Sequence, residues 1–442
     1  MARRKRKKLP LDTFSAHIDA LSHEGRGIAT VAGKTTFISN ALVTEEIEFI
    51  YTAQNSRYAQ GRATKILQAA TERITPQCEH FGICGGCSLQ HMQHETQLDL
   101  KQATLLEQLQ HFAKTSADEI LPPITGPTYA YRHKARLGVR YVEKKNAVLV
   151  GFREQQSRYL ADMHRCPILH PSVGELITPL RQLIAELSSY QHIAQIEVAI
   201  GDTQTALIFR HLIPLPIEDE KRLCEFAQQY QLMLFLQPNK PEKLRRLYPE
   251  LGEDLLSYQH PDFAITLWFH PLDFTQINPA INRQMVKAAI QFLQLTPTDR
   301  VLDLFCGLGN FTLPISKSAA TATGVEGSEL MVERAQMNAE RNNIDNVEFF
   351  ATDLSQPLTA AWAKKYYNKL LLDPARSGAL EILPYLALWR VERIVYISCN
   401  PATLARDAGE LCKLGYCLEK TGIIDMFPQT NHVESIAVFT KN

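Results

Sequence analysis

Apolar and polar positions change period in a regular way along residues 266–442. Short apolar runs such as VLDLF, ATATGV, KLLLD and RIVYIS predict strands, and segments with helical spacing such as SELMVERAQMNAER and PATLARDAGELCKLG predict helices between them. The segment after KLLLD predicts a helix to about Trp389, and CLEKTGIIDMF with ESIAVFT predicts a closing pair of strands. This alternation is typical of a doubly wound α/β sheet, which binds ligands at the carboxyl ends of its strands.

Two different patterns precede this region. Residues 10–69 contain short alternating runs punctuated by glycines, which predict five strands and a small OB-like β-barrel. Residues 70–265 mix strand-like stretches, KARLGVRYV and QIEVAIGDTQTALIFRHLI, with the helix-like LITPLRQLIAELSS, so we predict a mixed α+β domain there. The domain prediction is therefore a basic tail at 1–9, a barrel at 10–69, a central domain at 70–265 and a catalytic domain at 266–442.

Composition adds a cellular context. The chain is 45% hydrophobic and 21% charged with a formal net charge of zero, which is typical of globular proteins. Arg3 to Lys8 are all basic, and such a segment is either a solvated tail or an arm that binds polyanions. No signal peptide or membrane-spanning run is visible in the sequence, so we expect a cytoplasmic protein without membrane contact.

Acidic residues and glycines at successive strand ends predict a cofactor site. Asp303 lies within the first strand of the α/β region, and the loop that follows carries Gly307 and Gly309. Glu326 ends the second strand, where a carboxylate can bind ribose hydroxyls, and Asp353 ends the third, within reach of an adenine amino group. Helix capping by these acids is the alternative interpretation. Gln276 lies just before a helix that Asn278 and Pro279 begin, and it is placed to contact a ligand over the sheet.

Cys399 ends the fifth strand at this same edge, in RIVYISCNPAT. The turn at Asn400 and Pro401 begins a helix, whose N-terminal dipole is expected to lower the thiol pKa. A buried structural cysteine is the alternative. The acid-Gly-x-Gly arrangement of Asp303, Gly307 and Gly309 resembles the S-adenosylmethionine site of class I methyltransferases. Such an enzyme needs a thiolate where the target carbon is not nucleophilic, as at carbon-5 of uracil, and it then needs a base on the opposite face. Glu434 begins the last strand and is the candidate base, with a solvated strand-end glutamate as the alternative.

The motifs DPARSG, YISCNPAT and IDMFPQTNHVE together resemble the signatures of the uracil-5 RNA methyltransferase family. The resemblance implies a class I S-adenosylmethionine-dependent, Rossmann-like domain with Cys399 as nucleophile and Glu434 as general base. Its cofactor contacts would fall on six positions: Gln276, Phe305, Asn310, Glu326, Asp353 and Asp373. Cys306 is the other cysteine near this site, and we assign it to packing. Residues 10–68 resemble a TRAM domain, an OB-like barrel of RNA-modifying enzymes.

A cysteine cluster in CEHFGICGGC predicts a metal centre. Cys78, Cys84 and Cys87 lie within ten residues, and Cys166 follows far downstream before a proline. Four thiolates bind either zinc or an iron–sulfur cluster, and a triplet with a remote Cys-Pro favours [4Fe–4S] by about two to one. In the family, this cluster and the barrel are features of the branch that methylates 23S ribosomal RNA, so the resemblance implies that substrate. We expect a monomer that acts on the RNA before ribosome assembly is complete.

Basic and aromatic residues in YAYRHKARLGVRYVEKKNAVLVGFR predict phosphate and base contacts, although a polar strand face would look similar. Two other functions fit parts of the sequence: a cytosine-5 RNA methyltransferase, and an RNA-binding chaperone or iron–sulfur redox module with an idle transferase site. Intact Cys399 and Glu434 argue against the idle site.

Overall fold

The structure is a computed structural model that describes residues 9–10, 12–238 and 244–441. The predicted basic segment Arg3–Lys8 lies outside the described residues. The described residues divide into two compact units, one within residues 1–104 with 429–431 and one within residues 105–428 with 432–442. Among the described residues, no helix combines the length and apolarity needed to cross a membrane. The two units divide near residue 104, and the boundaries at 69 and 265 stay predictions.

The first unit contains a sheet of short strands where the sequence predicts a barrel. Six strands are present in its described part, rather than the predicted five, and their sheet order is β1-β5-β6-β4-β3-β2. Inward positions of β5, such as Ile47 and Phe49, are fully buried, as the alternating pattern predicts. Gly61 on the neighbouring strand has no room for a side chain, because a Cβ atom there would lie 2.6 Å from the Phe49 ring. The strands are β1 (Phe14–His17), β2 (Ala20–Leu21), β3 (Gly27–Val31), β4 (Lys34–Ser39), β5 (Glu46–Gln54) and β6 (Ala59–Gln68).

The helices predicted from periodic segments are present with one exception, and the sequence analysis does not predict the helices His94–Gln108, Pro171–Gly174 and Ile217–Gln229. The predicted helix that ends near Trp389 is only four residues long, because Pro374, Gly378 and Pro384 interrupt the preceding segment. The helices are α1 (His94–Gln108), α2 (Pro171–Gly174), α3 (Ile177–Glu186), α4 (Ile217–Gln229), α5 (Pro279–Leu293), α6 (Thr312–Ser316), α7 (Glu329–Arg341), α8 (Leu386–Trp389) and α9 (Pro401–Lys413).

The second unit contains three sheets within its described residues. A six-stranded sheet has the order β13-β12-β11-β10-β8-β9, β14 pairs with β15, and an eight-stranded sheet has the order β18-β17-β16-β19-β20-β22-β21-β7. The strands are β7 (Glu119–Ile120), β8 (Lys134–Val142), β9 (Ala147–Gly151), β10 (Ile193–Ile200), β11 (Thr205–His211), β12 (Met233–Pro238), β13 (Arg245–Tyr248), β14 (Leu256–His260), β15 (Ile265–Phe269), β16 (Arg300–Leu304), β17 (Thr321–Glu326), β18 (Val347–Ala351), β19 (Lys369–Leu372), β20 (Arg393–Ser398), β21 (Tyr416–Ile424) and β22 (Glu434–Lys441).

The eight-stranded sheet brings the chemical residues to one edge. Strands β16 to β20 run parallel to their neighbours, so their carboxyl ends meet at the same edge. Strand β22 runs antiparallel between β20 and β21, so its first residue returns to that edge. All six residues of β20 are buried, as expected for a central strand with the apolar segment IVYI.

Helix α5 covers one face of this sheet and begins as the sequence predicts. Asn278 is its N-cap and accepts a hydrogen bond from the Ile281 N–H at 3.3 Å, and Pro279 is the first helical residue. Its buried face contributes Ile281, Met285, Val286, Ala289 and Leu293 to a core shared with the central strands. The helix therefore holds the segment that carries Gln276 against the sheet.

Candidate active site

Cys399 and Glu434 face each other across neighbouring strands. Ser398 at the end of β20 pairs with Ser435 of β22, and this antiparallel register, continued by one residue, brings Cys399 opposite Glu434. The effect of the Glu434 charge on the Cys399 pKa agrees with this proximity. The Ser435 hydroxyl also donates to the Ser398 carbonyl at 3.3 Å. Because Cβ atoms of directly opposed residues lie about 5 Å apart, a small planar base bound at this edge can contact both side chains.

Burial raises the pKa of both carboxyl groups at this edge. Glu434 is 4% exposed, and its burial together with the negative charge of Asp373 raises its pKa from 4.5 to about 8. Burial likewise raises the pKa of Asp373 to about 7. The Arg376 guanidinium acts in the opposite direction on Glu434. A carboxyl group whose pKa lies near the operating pH can both accept and release a proton, as a general base requires.

The Cys399 thiol differs from the sequence-based expectation. Burial, Glu434 and Asp373 raise its pKa from 9.0 to about 11, although Arg376 lowers it. The predicted lowering by the α9 dipole is wrong in direction, because desolvation and two acidic groups outweigh a helix terminus. Asn400 does form the predicted turn, and its side chain accepts from the Ala402 N–H at 3.2 Å and so caps α9.

The loop after β16 has the backbone of a ligand-binding loop. Phe305, Gly307 and Gly309 have φ angles of 67°, 55° and 93°, a region that only glycine enters at low cost. The Phe305 conformation is therefore strained, as is common at binding sites. Glu326 accepts hydrogen bonds from the Gly307 and Ser328 N–H groups, each at 3.1 Å, and so fixes this loop against the end of β17. A Cβ atom at Gly307 would have no atom within 4 Å, so open space lies over the loop.

Asp303 supports the loop from below. It is fully buried, its Oδ2 atom accepts from the Thr312 hydroxyl at 2.5 Å, and its Oδ1 atom has no partner. Burial raises its pKa to about 8. An unpaired buried oxygen is costly, which marks this position as one whose partner is a ligand group or water.

Asn310, which the resemblance assigns to the cofactor, uses its side chain largely within the protein. Its Oδ1 atom accepts from the Tyr258 hydroxyl at 2.9 Å, from His260 Nε2 at 3.0 Å and from Asn282 Nδ2 at 3.0 Å. Its Nδ2 atom donates to Asn282 Oδ1 at 2.9 Å. One amide proton and the backbone are left for a ligand. No local sequence pattern indicates this network, because its members are far apart in the chain.

The other predicted contacts surround the same edge. Gln276 is half-buried two residues before the α5 cap, and Asp373 is half-buried at the end of β19. Asp353 is exposed beyond β18, where it accepts from the Ser355 N–H at 3.0 Å and hydroxyl at 2.7 Å, and these bonds lower its pKa. Cys306 is buried and its pKa is raised well above 9.0 by burial, which agrees with a packing role.

Comparison with known proteins assigns the family. The profile of the tRNA (Uracil-5-)-methyltransferase family matches residues 93–442. The chain is 51% identical to "23S rRNA (uracil(1939)-C(5))-methyltransferase RlmD" of Alcanivorax borkumensis over 100% of this chain and 99% of the relative. This chain belongs to the RNA (uracil-5-)-methyltransferase family. The protein of the same name from Hahella chejuensis is 49% identical over 99% of both chains.

A solved member has the same fold. The Pyrococcus abyssi tRNA (uracil-54, C5)-methyltransferase, in complex with S-adenosyl-L-homocysteine, superposes with a TM-score of 0.74 and covers 97% of this chain and 100% of its own. Its sequence identity is 20%, so the comparison establishes the fold alone.

The four cysteines of the predicted cluster are divided between the units. Cys78, Cys84 and Cys87 belong to the first unit and Cys166 to the second. Cys84 and Cys166 are buried, and the other two are half-buried. Among the described residues, no group of three or more His, Cys, Asp or Glu side chains is arranged to hold a metal ion. The cluster therefore stays a prediction for this family member.

The predicted basic and aromatic segment divides into buried and exposed parts. Tyr131 is buried and donates to the Pro428 carbonyl at 2.9 Å, and Lys134 donates to the Asp273 carbonyl. Arg136 and Arg140 point outward from β8 and are exposed. Arg136 and Arg140 are therefore the residues of β8 placed for phosphate contacts, and Arg136 also pairs with Glu197 at 3.3 Å.

Proposed function

We propose that this protein transfers the methyl group of S-adenosylmethionine to carbon-5 of a uridine in 23S ribosomal RNA. The observation that carries the proposal is the register that sets Cys399 opposite Glu434 at the edge where the glycine loop ends. The names of relatives about half identical over the full length support the substrate. A cytosine-5 RNA methyltransferase, the alternative, would form 5-methylcytidine instead of 5-methyluridine.

The reaction divides between the two faces of the base. Cys399 adds to carbon-6 of the uracil, which makes carbon-5 nucleophilic. S-adenosylmethionine, when bound, supplies an electrophilic methyl group. Glu434 then removes the proton from carbon-5, and expulsion of the Cys399 thiolate restores the aromatic ring. The target base must leave any stack to reach this edge, which favours RNA that is not yet fully assembled into ribosomes.

The residues present fit the cofactor. The Gly307 backbone leaves open space, Glu326 is at the strand end suited to ribose hydroxyls, and Asp303 has an unpaired buried oxygen. Gln276, Phe305, Asn310, Asp353 and Asp373 are proposed as further contacts, with Asn310 restricted to its backbone and one amide proton.

Methylation in vitro tests the function. Purified protein, labelled S-adenosylmethionine and 23S rRNA fragments should yield 5-methyluridine in one fragment, located by nuclease digestion and mass spectrometry. The same nucleotide should lack the methyl group in rRNA from a strain without the gene. Formation of 5-methylcytidine, or no product in any fragment, would contradict the proposal.

We also propose that the cysteine loop carries a [4Fe–4S] cluster, with Cys166 as the remote ligand. Gln90, which follows the cysteine loop, supports this assignment. It is fully buried, its Oε1 atom accepts from the Cys78 N–H at 3.2 Å, and its Nε2 atom has no partner. A buried amide donor that has no partner and is held at the Cys78 backbone suits a sulfur acceptor. Anaerobically purified protein should contain about four irons per chain. The Cys84→Ser variant should have a much lower iron content. Stoichiometric zinc without acid-labile sulfide would contradict this.

We further propose that the first unit is a TRAM-like RNA-binding barrel and that the protein acts as a cytoplasmic monomer. Arg57, Arg62 and Lys65 are exposed on or beside β6. Replacing all three with Gln should weaken RNA binding and reduce its salt dependence while leaving S-adenosylmethionine affinity unchanged. Equal loss of both affinities would contradict this division, and light scattering tests the monomer.

A further inference from the structure

The loop after β19 carries two charged residues of the site, yet it contains no helix or strand. Residues 373–379 include Asp373 and Arg376, and Ala375, Arg376 and Ser377 are exposed. Such a segment would ordinarily be mobile, because few of its own backbone groups pair with one another. Its Gly378 N–H does donate to the Ala375 carbonyl at 3.0 Å.

Helix α9 and its cap hold this loop by three further hydrogen bonds. Asn400 Nδ2 donates to the Arg376 carbonyl at 3.1 Å, and Arg406 Nη2 donates to the Ser377 carbonyl at 2.8 Å. The Ala379 N–H donates to Asp407 Oδ2 at 2.7 Å. The loop is therefore fastened to the element that begins directly after the nucleophile.

Asp407 is the centre of this arrangement. It is fully buried, its Oδ2 atom also accepts from the Tyr396 hydroxyl of β20 at 2.8 Å, and its Oδ1 atom accepts from Arg406 Nε at 2.8 Å. One carboxylate thus joins the loop, the nucleophile strand and α9. Gly378 packs closely against it, since a Cβ atom there would lie 2.6 Å from Asp407 Oδ2. A buried charge with this many partners is retained only in one geometry.

We propose that Asp407 is a positioning residue for methyl transfer, which holds Asp373 and Arg376 at a fixed distance from Cys399 and Glu434. It contacts the Tyr396 hydroxyl, the Ala379 N–H and Arg406, and acts on the reaction only through them. The inference rests on the proposed function. Displacement of the reacting groups by about 1 Å can cost on the order of 100-fold in rate, so loosening this loop should be visible in the chemical step.

The test uses the full-length protein and an RNA substrate containing 5-fluorouridine, which traps the covalent complex. Asp407→Asn should lower the single-turnover rate constant of complex formation by at least about tenfold at saturating RNA. The dissociation constants of RNA and S-adenosylmethionine should stay within about twofold. A rate constant, unlike an amplitude, is independent of the fraction of folded enzyme, so a general loss of stability would not produce this result.

Asp299→Asn is the matched control. Asp299 is 4% exposed at the amino end of β16 and accepts from the Thr296 N–H at 2.7 Å and from Asn368 Nδ2 at 2.5 Å. Asp299 lies at the sheet edge away from the site, so the rate constant of the Asp299→Asn variant should match that of wild type. If Asp407→Asn does not fold, Tyr396→Phe removes one of the hydrogen bonds and should slow the step by about threefold, with Tyr416→Phe as its control.

The outcomes separate the two proposals. A wild-type protein that forms no complex with the trap would overturn the proposed function and this inference with it. A trapped wild type, together with unchanged rate constants in Asp407→Asn or Tyr396→Phe, would overturn the positioning role alone. Equal slowing by Asp299→Asn would also overturn it, because the effect would then belong to any buried aspartate.

Discussion

Replacing Glu434 with Gln should separate the first and last steps of the reaction. The amide keeps the shape of the side chain at the start of β22 but cannot accept the carbon-5 proton. A general base typically contributes about 100- to 10,000-fold, so release of RNA from the methylated complex should slow by that factor. The covalent protein–RNA complex should accumulate, survive denaturing electrophoresis and carry the transferred methyl group.

The same substitution should not slow the first step, and its effect should depend on pH. The negative charge of Glu434 is one cause of the raised Cys399 pKa. Two charges about 5 Å apart at an effective dielectric constant of about 20–60 interact by about 1–3 kcal/mol, which is about 5- to 150-fold in thiolate fraction. Because the pKa of Glu434 is about 8, its carboxyl is protonated at pH 6 and ionised at pH 9. Complex formation should therefore match wild type at pH 6 and exceed it at pH 9.

Rapid-quench measurements with end-labelled RNA give the rate of complex formation, and methyl-labelled cofactor gives its composition. Glu419→Gln is the matched control, since Glu419 pairs with Arg393 at 2.8 Å within the same sheet, away from the reactive edge. Normal turnover by Glu434→Gln would show that another group removes the proton. Slower complex formation at pH 9 would refute the electrostatic argument.

Three further outcomes follow from the same geometry. Cys399→Ala should form no covalent complex on denaturing gels, while calorimetry finds cofactor affinity within about twofold of wild type. Glu326→Gln should weaken cofactor binding by about tenfold in the same titration, because the carboxylate fixes the glycine loop as well as facing the ligand; an unchanged affinity would contradict its assignment. The pKa of Glu434 is about 8 in the folded protein, whereas its ordinary value of 4.5 applies in the unfolded chain. Wild-type stability should therefore fall as pH rises between those values, and the melting temperature of Glu434→Gln should fall less steeply over that range.

The residues at the reactive edge of the sheet can be predicted from sequence patterns, whereas their pairing across neighbouring strands cannot. Parallel strands buried on both faces leave continuous apolar runs such as RIVYIS, so their ends, with Glu326 and Cys399, can be placed by pattern alone. The opposition of Cys399 and Glu434 depends on the register of β20 with β22, which nothing local in either strand encodes.

The roles of residues that act through long-range contacts cannot be predicted from local sequence patterns. Asn310 accepts hydrogen bonds from Tyr258 and His260, about fifty positions earlier, so only one amide proton and its backbone are left for the cofactor contact that the resemblance implies. Asp407 reads as an ordinary helix residue in PATLARD, although it holds a loop from another strand. The sequence specifies these residues, but their roles arise only when the sheet brings distant segments together.

The raised pKa of Cys399 changes how the nucleophile must be activated. A helix dipole alone would make a thiolate at rest, exposed to oxidation and to the wrong substrates. Burial beside Glu434 and Asp373 instead keeps the thiol protonated, with a pKa of about 11. Under the proposed function, a sulfonium cation bound at this edge would offset the two acidic groups, so the thiolate would become accessible only in the loaded enzyme. Arg376 also lowers the Cys399 pKa, but by less than burial and the two acidic groups raise it. Because Asp373 and Arg376 act on the thiol in opposite directions, the position of the loop that carries both should affect the Cys399 pKa.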